Sequence, residues 1–212
     1  MTGAQKKKIC RIMIAAPKSG SGKTTITCGL LQIFKENGEN ISSCKCGPDY
    51  IDPMFHRQVL GIPARNLDTF FTGEDGTRRL FLRDRREDEL VVMEGVMGLY
   101  DGLGGIREEG SSYHLAKVTQ TPILLVVDAK GMGRSVIPLI AGFLAYDKAH
   151  LIRGVIFNRM SASYYEILKP LAEDELGIAV LGYFPENKDL QIASRHLGLY
   201  MPGAVSYTHL RA

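Results

Sequence analysis

The chain has 212 residues, with 26 Lys and Arg against 23 Asp and Glu, a formal net charge of +3 and 45% hydrophobic residues. So small a charge argues against a nucleic-acid or anionic-membrane partner, and no apolar run approaches the ~20 residues of a membrane span. The length suits one sizeable domain with its own core, and the composition reads as that of a soluble, cytoplasmic protein.

In chain order, Lys6–Lys8 followed by the short run Ile12–Ala16 is too brief for a signal peptide and runs straight into a Gly/Lys loop. Ile12–Ala16 is instead the first predicted strand, followed by a predicted helix over Thr24–Asn37 and a second strand over Ile41–Lys45. Cys44 and Cys46 share one face there. Buried thiols are expected at these two, and with Cys10 and Cys28 they show neither disulfide nor zinc spacing. A helix is predicted over Gly76–Arg85. Its basic run (Arg78, Arg79, Arg83, Arg85, Arg86) is interleaved with Glu87, Asp88 and Glu89 and reads as a solvated helix face. Further strands are predicted at Leu90–Met93, Ile123–Val127, Leu151–Phe157 and Ala179–Tyr183, with helices at Ser112–Thr119, Gly133–Tyr146 and Ser163–Leu176.

Val/Ile/Leu runs without alternation suit strands buried on both faces of a parallel sheet, and strand alternating with helix predicts a doubly wound, mostly parallel α/β fold. Such sheets bind ligands at the carboxyl ends of their strands. The chemically capable residues fall at those ends: Pro17–Thr24, Gly47–Pro53, Glu94-Gly95, Asp128–Gly131, Asn158 and Pro185-Glu186 follow successive strands. One continuous site is expected.

Its first part is Ala16-Pro-Lys-Ser-Gly-Ser-Gly-Lys-Thr24, between a strand and a helix. Gly20 and Gly22 allow backbone N–H groups to turn inward around phosphates, and the helix N-terminus adds positive potential. Lys23 would reach the β- and γ-phosphates, and Thr24 would offer its hydroxyl to Mg²⁺. Ser19, Ser21 and Thr25 complete the expected ATP-binding set. Pro17 stands where the common pattern has its first glycine, and a ligand-free Gly-rich turn is the plainer alternative. Lys18 resembles the early lysine of plasmid-partition and septum-site ATPases, which acts across a dimer; that keeps a homodimer open, against the plainer reading of a solvent-facing lysine.

Two acidic loops follow, Lys45-Cys-Gly-Pro-Asp-Tyr-Ile-Asp-Pro-Met-Phe-His56 and Glu94-Gly-Val-Met-Gly-Leu-Tyr-Asp-Gly102. Isolated, each would be a solvated turn. Beside a phosphate loop, they are what a hard cation on phosphates requires.

These segments, with Ser19–Thr25, Asn66-Leu-Asp68, Asp128-Ala129 and Arg195-His-Leu-Gly-Leu199, resemble the synthetase domain of cobyrinic or hydrogenobyrinic acid a,c-diamide synthases, collinearly from about Ile12 to Leu199. Dethiobiotin synthetases share the fold and phosphate loop but usually lack both acidic segments. The resemblance implies that ATP phosphorylates a peripheral carboxylate of a corrin-type tetrapyrrole and that ammonia attacks the acyl phosphate. It implies Lys23 and Mg²⁺ at the transferring phosphoryl group, with Thr24, Asp52 and Glu94 around the metal. Asp49, Tyr50 and Asp101 would face the substrate. Lys45 reads equally as a phosphate partner or a strand-end lysine, and Asn158 as an adenine-recognising residue or a turn cap. A nickel-sirohydrochlorin a,c-diamide synthase shares much of this motif set, and a partition-type dimeric ATPase is the alternative outside the ligases.

Members of that family carry a C-terminal glutaminase domain with a Cys–His–Glu triad, whereas this chain has no cysteine beyond Cys46. The expectation is therefore a synthetase domain over residues 1–204 without its source of ammonia. Residues 205–212 depart from the family pattern and resemble translated sequencing-adapter sequence, so they read as a non-native tail in which His209 has no role.

Overall fold

The computed structural model describes residues 9–86 and 88–187, together with the backbone of two short antiparallel strands, Ser194–Arg195 and Gly198–Leu199. Residues 205–212 and the side chains of the Arg195–Leu199 segment lie outside the described residues. Seven strands, β1 (Cys10–Ala15), β2 (Ile41–Cys46), β3 (Ala64–Leu67), β4 (Leu90–Glu94), β5 (Ile123–Asp128), β6 (Ile152–Asn158) and β7 (Ala179–Phe184), form one sheet in the order β3-β2-β4-β1-β5-β6-β7. Every pairing in it is parallel. The predicted doubly wound α/β fold is correct.

Among the described residues, six α-helices cover the sheet: α1 (Lys23–Glu36), α2 (Ile51–Gln58), α3 (Thr69–Leu82), α4 (Ser112–Thr119), α5 (Val136–Tyr146) and α6 (Ala162–Leu176). Their apolar residues divide into two cores. Ile26, Cys28 and Leu31 of α1 and Phe55 of α2 pack with Ile14, Val92, Leu124, Val126 and Ile156 on one face. Residues of α3 to α6, among them Phe81, Leu115, Ile140 and Leu168, pack with Met13, Cys44, Met93, Leu125 and Phe157 on the other. The two-residue period of a strand produces this division, because successive side chains point to opposite faces. No helix among the described residues is long and apolar enough to cross a membrane.

Two elements of the main sheet and of the α-helices over it have no counterpart in the sequence prediction. The first is α2, where Pro53 sits in the first turn, a position whose N–H has no helical partner in any case. The second is β3, a four-residue edge strand paired only to β2. Helix α3 also begins earlier than the predicted Gly76. Asp68 caps it through hydrogen bonds from Phe70 N (2.8 Å) and Phe71 N (3.2 Å), and Gly73 (φ 64°) breaks its periodicity.

The basic run requires a correction. Arg85 is not on a solvated helix face: it lies beyond α3, is buried, and donates to Ser42 Oγ (2.6 Å), Glu89 Oε1 (3.1 Å) and Phe81 O (2.6 Å). A guanidinium with that many acceptors, and with Phe81 beneath it at 5.0 Å, can be withdrawn from water. The buried thiols expected at Cys44 and Cys46 are found; Cys28 is buried as well, and Cys10 is exposed.

Candidate nucleotide-binding and catalytic site

The strand period that divides the core also builds the site. On β2, Ile41 belongs to the core under α1 and α2, so Ser43 and Lys45 face the same way. The same count carries Val92 to Glu94 on β4, Val126 to Asp128 on β5, and Ile156 to Asn158 on β6. Four polar residues at four carboxyl strand ends thus face the helix that follows the phosphate loop. Register aligns them: Lys45 is opposite Glu94, and Asp128 is opposite Asn158.

Between β1 and α1 the chain turns through Gly20 and Gly22, at φ +73° and +93°, in the left-handed region that favours glycine. Gly22 occupies the N-cap of α1 and brings no side-chain cap, so the first N–H groups of the helix are left to a ligand. Lys23 lies in this cradle and donates to Met97 O at 2.5 Å and Lys18 O at 3.4 Å. Burial, reinforced by the Lys45 charge, lowers its pKa to about 8. An ammonium so placed gains by meeting an anion. Ser21 Oγ closes the turn by donating to Lys18 O (3.0 Å), while Ser19 and Lys18 are exposed, as expected of a solvent-facing lysine. A cradle open at a helix N-terminus, with a buried lysine beside it, fits a nucleotide's phosphates.

The acidic part is a cluster around Lys45. Its ammonium lies 2.6 Å from Asp52 Oδ2, 2.9 Å from Glu94 Oε1 and 3.9 Å from Asp49 Oδ2. Glu94 Oε1 also accepts from Thr24 Oγ1 at 2.5 Å. Burial acts to lower the Lys45 pKa, but Glu94 and Asp52 override it and hold the ammonium well above its ordinary value. Burial raises the Asp52 carboxyl, and the nearby Glu94 adds to the shift despite the ammonium. An ion pair alone would lower an aspartate. That both partners are pushed towards their protonated forms reflects one ammonium facing three carboxylates, a site short of positive charge.

Asp52 Oδ1 and Glu94 Oε2 are buried without hydrogen-bond partners. The unsatisfied Asp52 Oδ1, together with the Glu94 Oε1 that Thr24 Oγ1 already meets, fits Mg²⁺, which typically takes one or two carboxylates and completes its shell with water and phosphate. No group of three or more His, Cys, Asp or Glu among the described residues is arranged to hold a metal ion.

The remaining predicted residues bound this centre. Asp49 Oδ1 accepts from Ile51 N (2.9 Å) and Asp52 N (3.4 Å), starting α2, and Tyr50 beside it is 71% exposed. Asp101 Oδ2 accepts from Gly98 N at 2.9 Å, so its carboxylate folds the loop that supplies Met97 O to Lys23. That loop is tied to the phosphate loop by Leu99 N to Ala16 O (2.8 Å). Asn158 donates to Ser21 O at 2.9 Å and braces the phosphate loop from behind, which engages its amide with backbone. Thr25 is half-buried on α1.

Sequence reasoning assigned no role to His56 or Arg159, and placed Glu186 in the site only as a strand-end residue. His56 is fully buried on α2, four residues after Asp52 and therefore on the same helix face; reading 51–58 as helix would have revealed it. Its Nδ1 lies 2.7 Å from Ser43 Oγ, and its Nε2 lies 3.7 Å from Cys28 Sγ and 3.9 Å from Glu94 Oε2. Burial, against the pull of Asp52, lowers the imidazole to about 4 and keeps it neutral. Burial works to raise Asp128, but the hydrogen bonds from Arg159 outweigh it and hold the carboxyl down. Lys130 pairs with Glu186 across the neighbouring strand end.

The family described as CobQ/CobB/MinD/ParA nucleotide binding domain matches residues 12–199. The cobyrinate a,c-diamide synthase of Caldanaerobacter subterraneus is 44% identical over 193 residues, covering 90% of this chain and 42% of that protein. That of Thermoplasma acidophilum is 42% identical, with 91% of this chain and 43% of its own length aligned. The hydrogenobyrinate a,c-diamide synthase of Streptomyces coelicolor is 43% identical, with 89% and 39% aligned. The chain therefore spans less than half the length of these relatives. Among solved structures, the signal recognition particle receptor FtsY of Elizabethkingia anophelis superposes with a TM-score of 0.59 at 18% identity, over 93% of this chain and 64% of that one. A nucleotide-binding protein of Archaeoglobus fulgidus in complex with ADP gives 0.53 at 14% identity, over 86% and 84%. Identities this low speak for the fold alone.

Proposed function

This chain belongs to the CobQ/CobB/MinD/ParA nucleotide binding domain family, and on that premise we propose that it carries the ATP-dependent amidation of the a and c carboxylates of cobyrinic or hydrogenobyrinic acid, a step of cobalamin biosynthesis. The relatives' names supply the substrate class. The observation that carries the chemistry is the cluster of one ammonium and three carboxylates set against an uncapped, lysine-bearing helix N-terminus.

In this reading the N–H groups of Gly20–Thr24 and the Lys23 ammonium bind the β- and γ-phosphates of ATP. Thr24, Asp52 and Glu94 hold Mg²⁺, which when bound neutralises charge on the transferring phosphoryl group. Lys45 neutralises the carboxylate cluster and is within reach of the incoming substrate carboxylate. Asp49 and the exposed Tyr50 line the substrate side, and Asp101 keeps the adjoining loop against the phosphate loop. Attack of the substrate carboxylate on the γ-phosphorus releases ADP and gives an acyl phosphate. Ammonia then displaces phosphate from the acyl carbon, giving the amide and losing a proton. In this reading the ammonia derives from glutamine, as the family resemblance implies.

The test supplies the chain with ATP, Mg²⁺, cobyrinic acid and concentrated ammonium at alkaline pH, where free NH₃ is present. Corrin-stimulated ADP release with mono- and diamide by mass spectrometry is expected, and glutamine alone should give no amide. ATP hydrolysis indifferent to the corrin would overturn the reading.

A further inference from the structure

His56 is fully buried, and the Lys45 ammonium is among the charges that act on it. Ser43 of β2 is at Nδ1, Cys28 of α1 and Glu94 of β4 are at Nε2, and Asp52 and Asp49 lie at the start of its own helix. A neutral imidazole carries one proton, and the neighbours decide which nitrogen holds it. Ser43 Oγ can donate or accept at 2.7 Å, and the Cys28 thiol can serve either form of Nε2, so neither discriminates. Glu94 does. Its Oε2 is buried, 3.9 Å from Nε2, and no hydrogen bond satisfies it. A bare nitrogen lone pair facing that oxygen would be repulsive, whereas an N–H dipole there is attractive, the more so because both residues are fully buried.

We infer that His56 is a positioning residue for Glu94: protonated on Nε2 and accepting the Ser43 hydroxyl on Nδ1, it directs its N–H dipole at Oε2 and keeps Oε1 turned towards Thr24 and Lys45. A carboxylate on a long side chain otherwise rotates among several orientations, and here two functional partners depend on one of its oxygens. Groups behind a metal-binding carboxylate typically change metal affinity 10–100-fold when removed. That consequence rests on the reading of Glu94 as a Mg²⁺ ligand; the tautomer and the contact do not.

The experiment therefore has two arms. In the ligand-free 212-residue chain, long-range ¹H–¹⁵N NMR of His56 should show a pyridine-type Nδ1 and a pyrrole-type Nε2. The opposite tautomer, or an imidazolium, overturns the inference whatever the chain binds. In the second arm, His56→Gln places an amide near the Nε2 position and His56→Asn near Nδ1. Nucleotide affinity is measured by calorimetry with and without Mg²⁺. His56→Gln should keep nearly the native Mg²⁺ dependence. His56→Asn should need about tenfold more Mg²⁺ while its metal-free nucleotide affinity is unchanged. Equal behaviour of the two variants, or equal loss with and without metal, overturns the positioning role. Absence of Mg²⁺-dependent binding in the native chain counts against the proposed function and leaves the NMR arm to decide this one.

Discussion

Lys45 and Glu94 are register partners on adjacent parallel strands, and their side chains meet at 2.9 Å with exposures of 6% and 0%. Parallel registry places the two residues side by side at the carboxyl end of the sheet. The pair is not isolated, because Asp52 reaches the same ammonium from α2. Removing the cation leaves buried carboxylates opposed. Lys45→Met should therefore cost about 3–5 kcal/mol in urea denaturation, the usual result of deleting one partner of a buried pair. Millimolar Mg²⁺ should restore part of it, since a divalent ion supplies the missing charge. Unchanged stability in Lys45→Met would show that the ammonium does not hold the cluster together.

Lys23 differs, since among the described residues its ammonium donates to backbone carbonyls alone. Lys23→Ala should lose about 1 kcal/mol of stability, typical of a hydrogen bond. Its ATP affinity should fall about 10–100-fold, from the loss of a charged hydrogen-bond donor worth about 1.5–3 kcal/mol. Calorimetry on a folded variant with native affinity would remove the phosphate-loop assignment.

Gly22 and Asn158 touch so closely that a methyl group cannot enter. A Cβ on Gly22 would lie 2.1 Å from Asn158 Nδ2, and the residue's φ is +93°. Gly22→Ala should weaken nucleotide binding and destabilise the loop through both clash and backbone strain. Adding Asn158→Ala removes the clash but not the strain, so the double variant should be better than the sum of the two. A coupling of about 0.5–3 kcal/mol is the range for residues in contact. Strict additivity, measured by thermal or urea unfolding, would mean that Asn158 does not bear on the loop.

The sheet was legible because Ile12–Ala16 and Ile123–Val127 are apolar without alternation, a pattern that buried parallel strands produce. Helix α2 was not, because Pro53 and the acidic Asp49–Asp52 stretch read as a loop until Asp49 is seen accepting from Ile51 N and Asp52 N. Edge strand β3 contains Arg65 and Asn66 among its four residues, since among the described residues it pairs on one side only and polar residues are tolerated there. In the site, Lys23, Thr24, Asp52 and Glu94 were visible as residue types at strand ends. What spacing could not give was their mutual contact, which depends on register, or the presence of His56 behind them. Arg85 was misread for the same reason: a local charge pattern does not reveal acceptors 43 residues away in sequence, such as Ser42.

Cys46 offers a test of burial beneath the site that needs no ligand. Its thiol is buried on the face of β2 opposite Lys45, and burial raises its pKa from 9.0 to about 12, with the Lys45 charge opposing the shift. In the unfolded chain the thiol ionises near 9.0, so above that pH the unfolded state has lost a proton that the folded state still binds. Stability from this group is therefore fully present below pH 9.0 and falls as pH rises towards about 12. The slope is about 1.4 kcal/mol per pH unit. Cys44 and Tyr100 are raised too, so native stability alone would not isolate the effect. Cys46→Ala keeps those groups and deletes only this thiol, adding a constant penalty for the small cavity. The difference in unfolding free energy between native protein and variant should be flat below pH 9.0 and should then shrink steadily as pH rises. Parallel curves across that range would show that the Cys46 thiol ionises as readily in the folded protein as in the unfolded chain, which a side chain sealed under β2 cannot do.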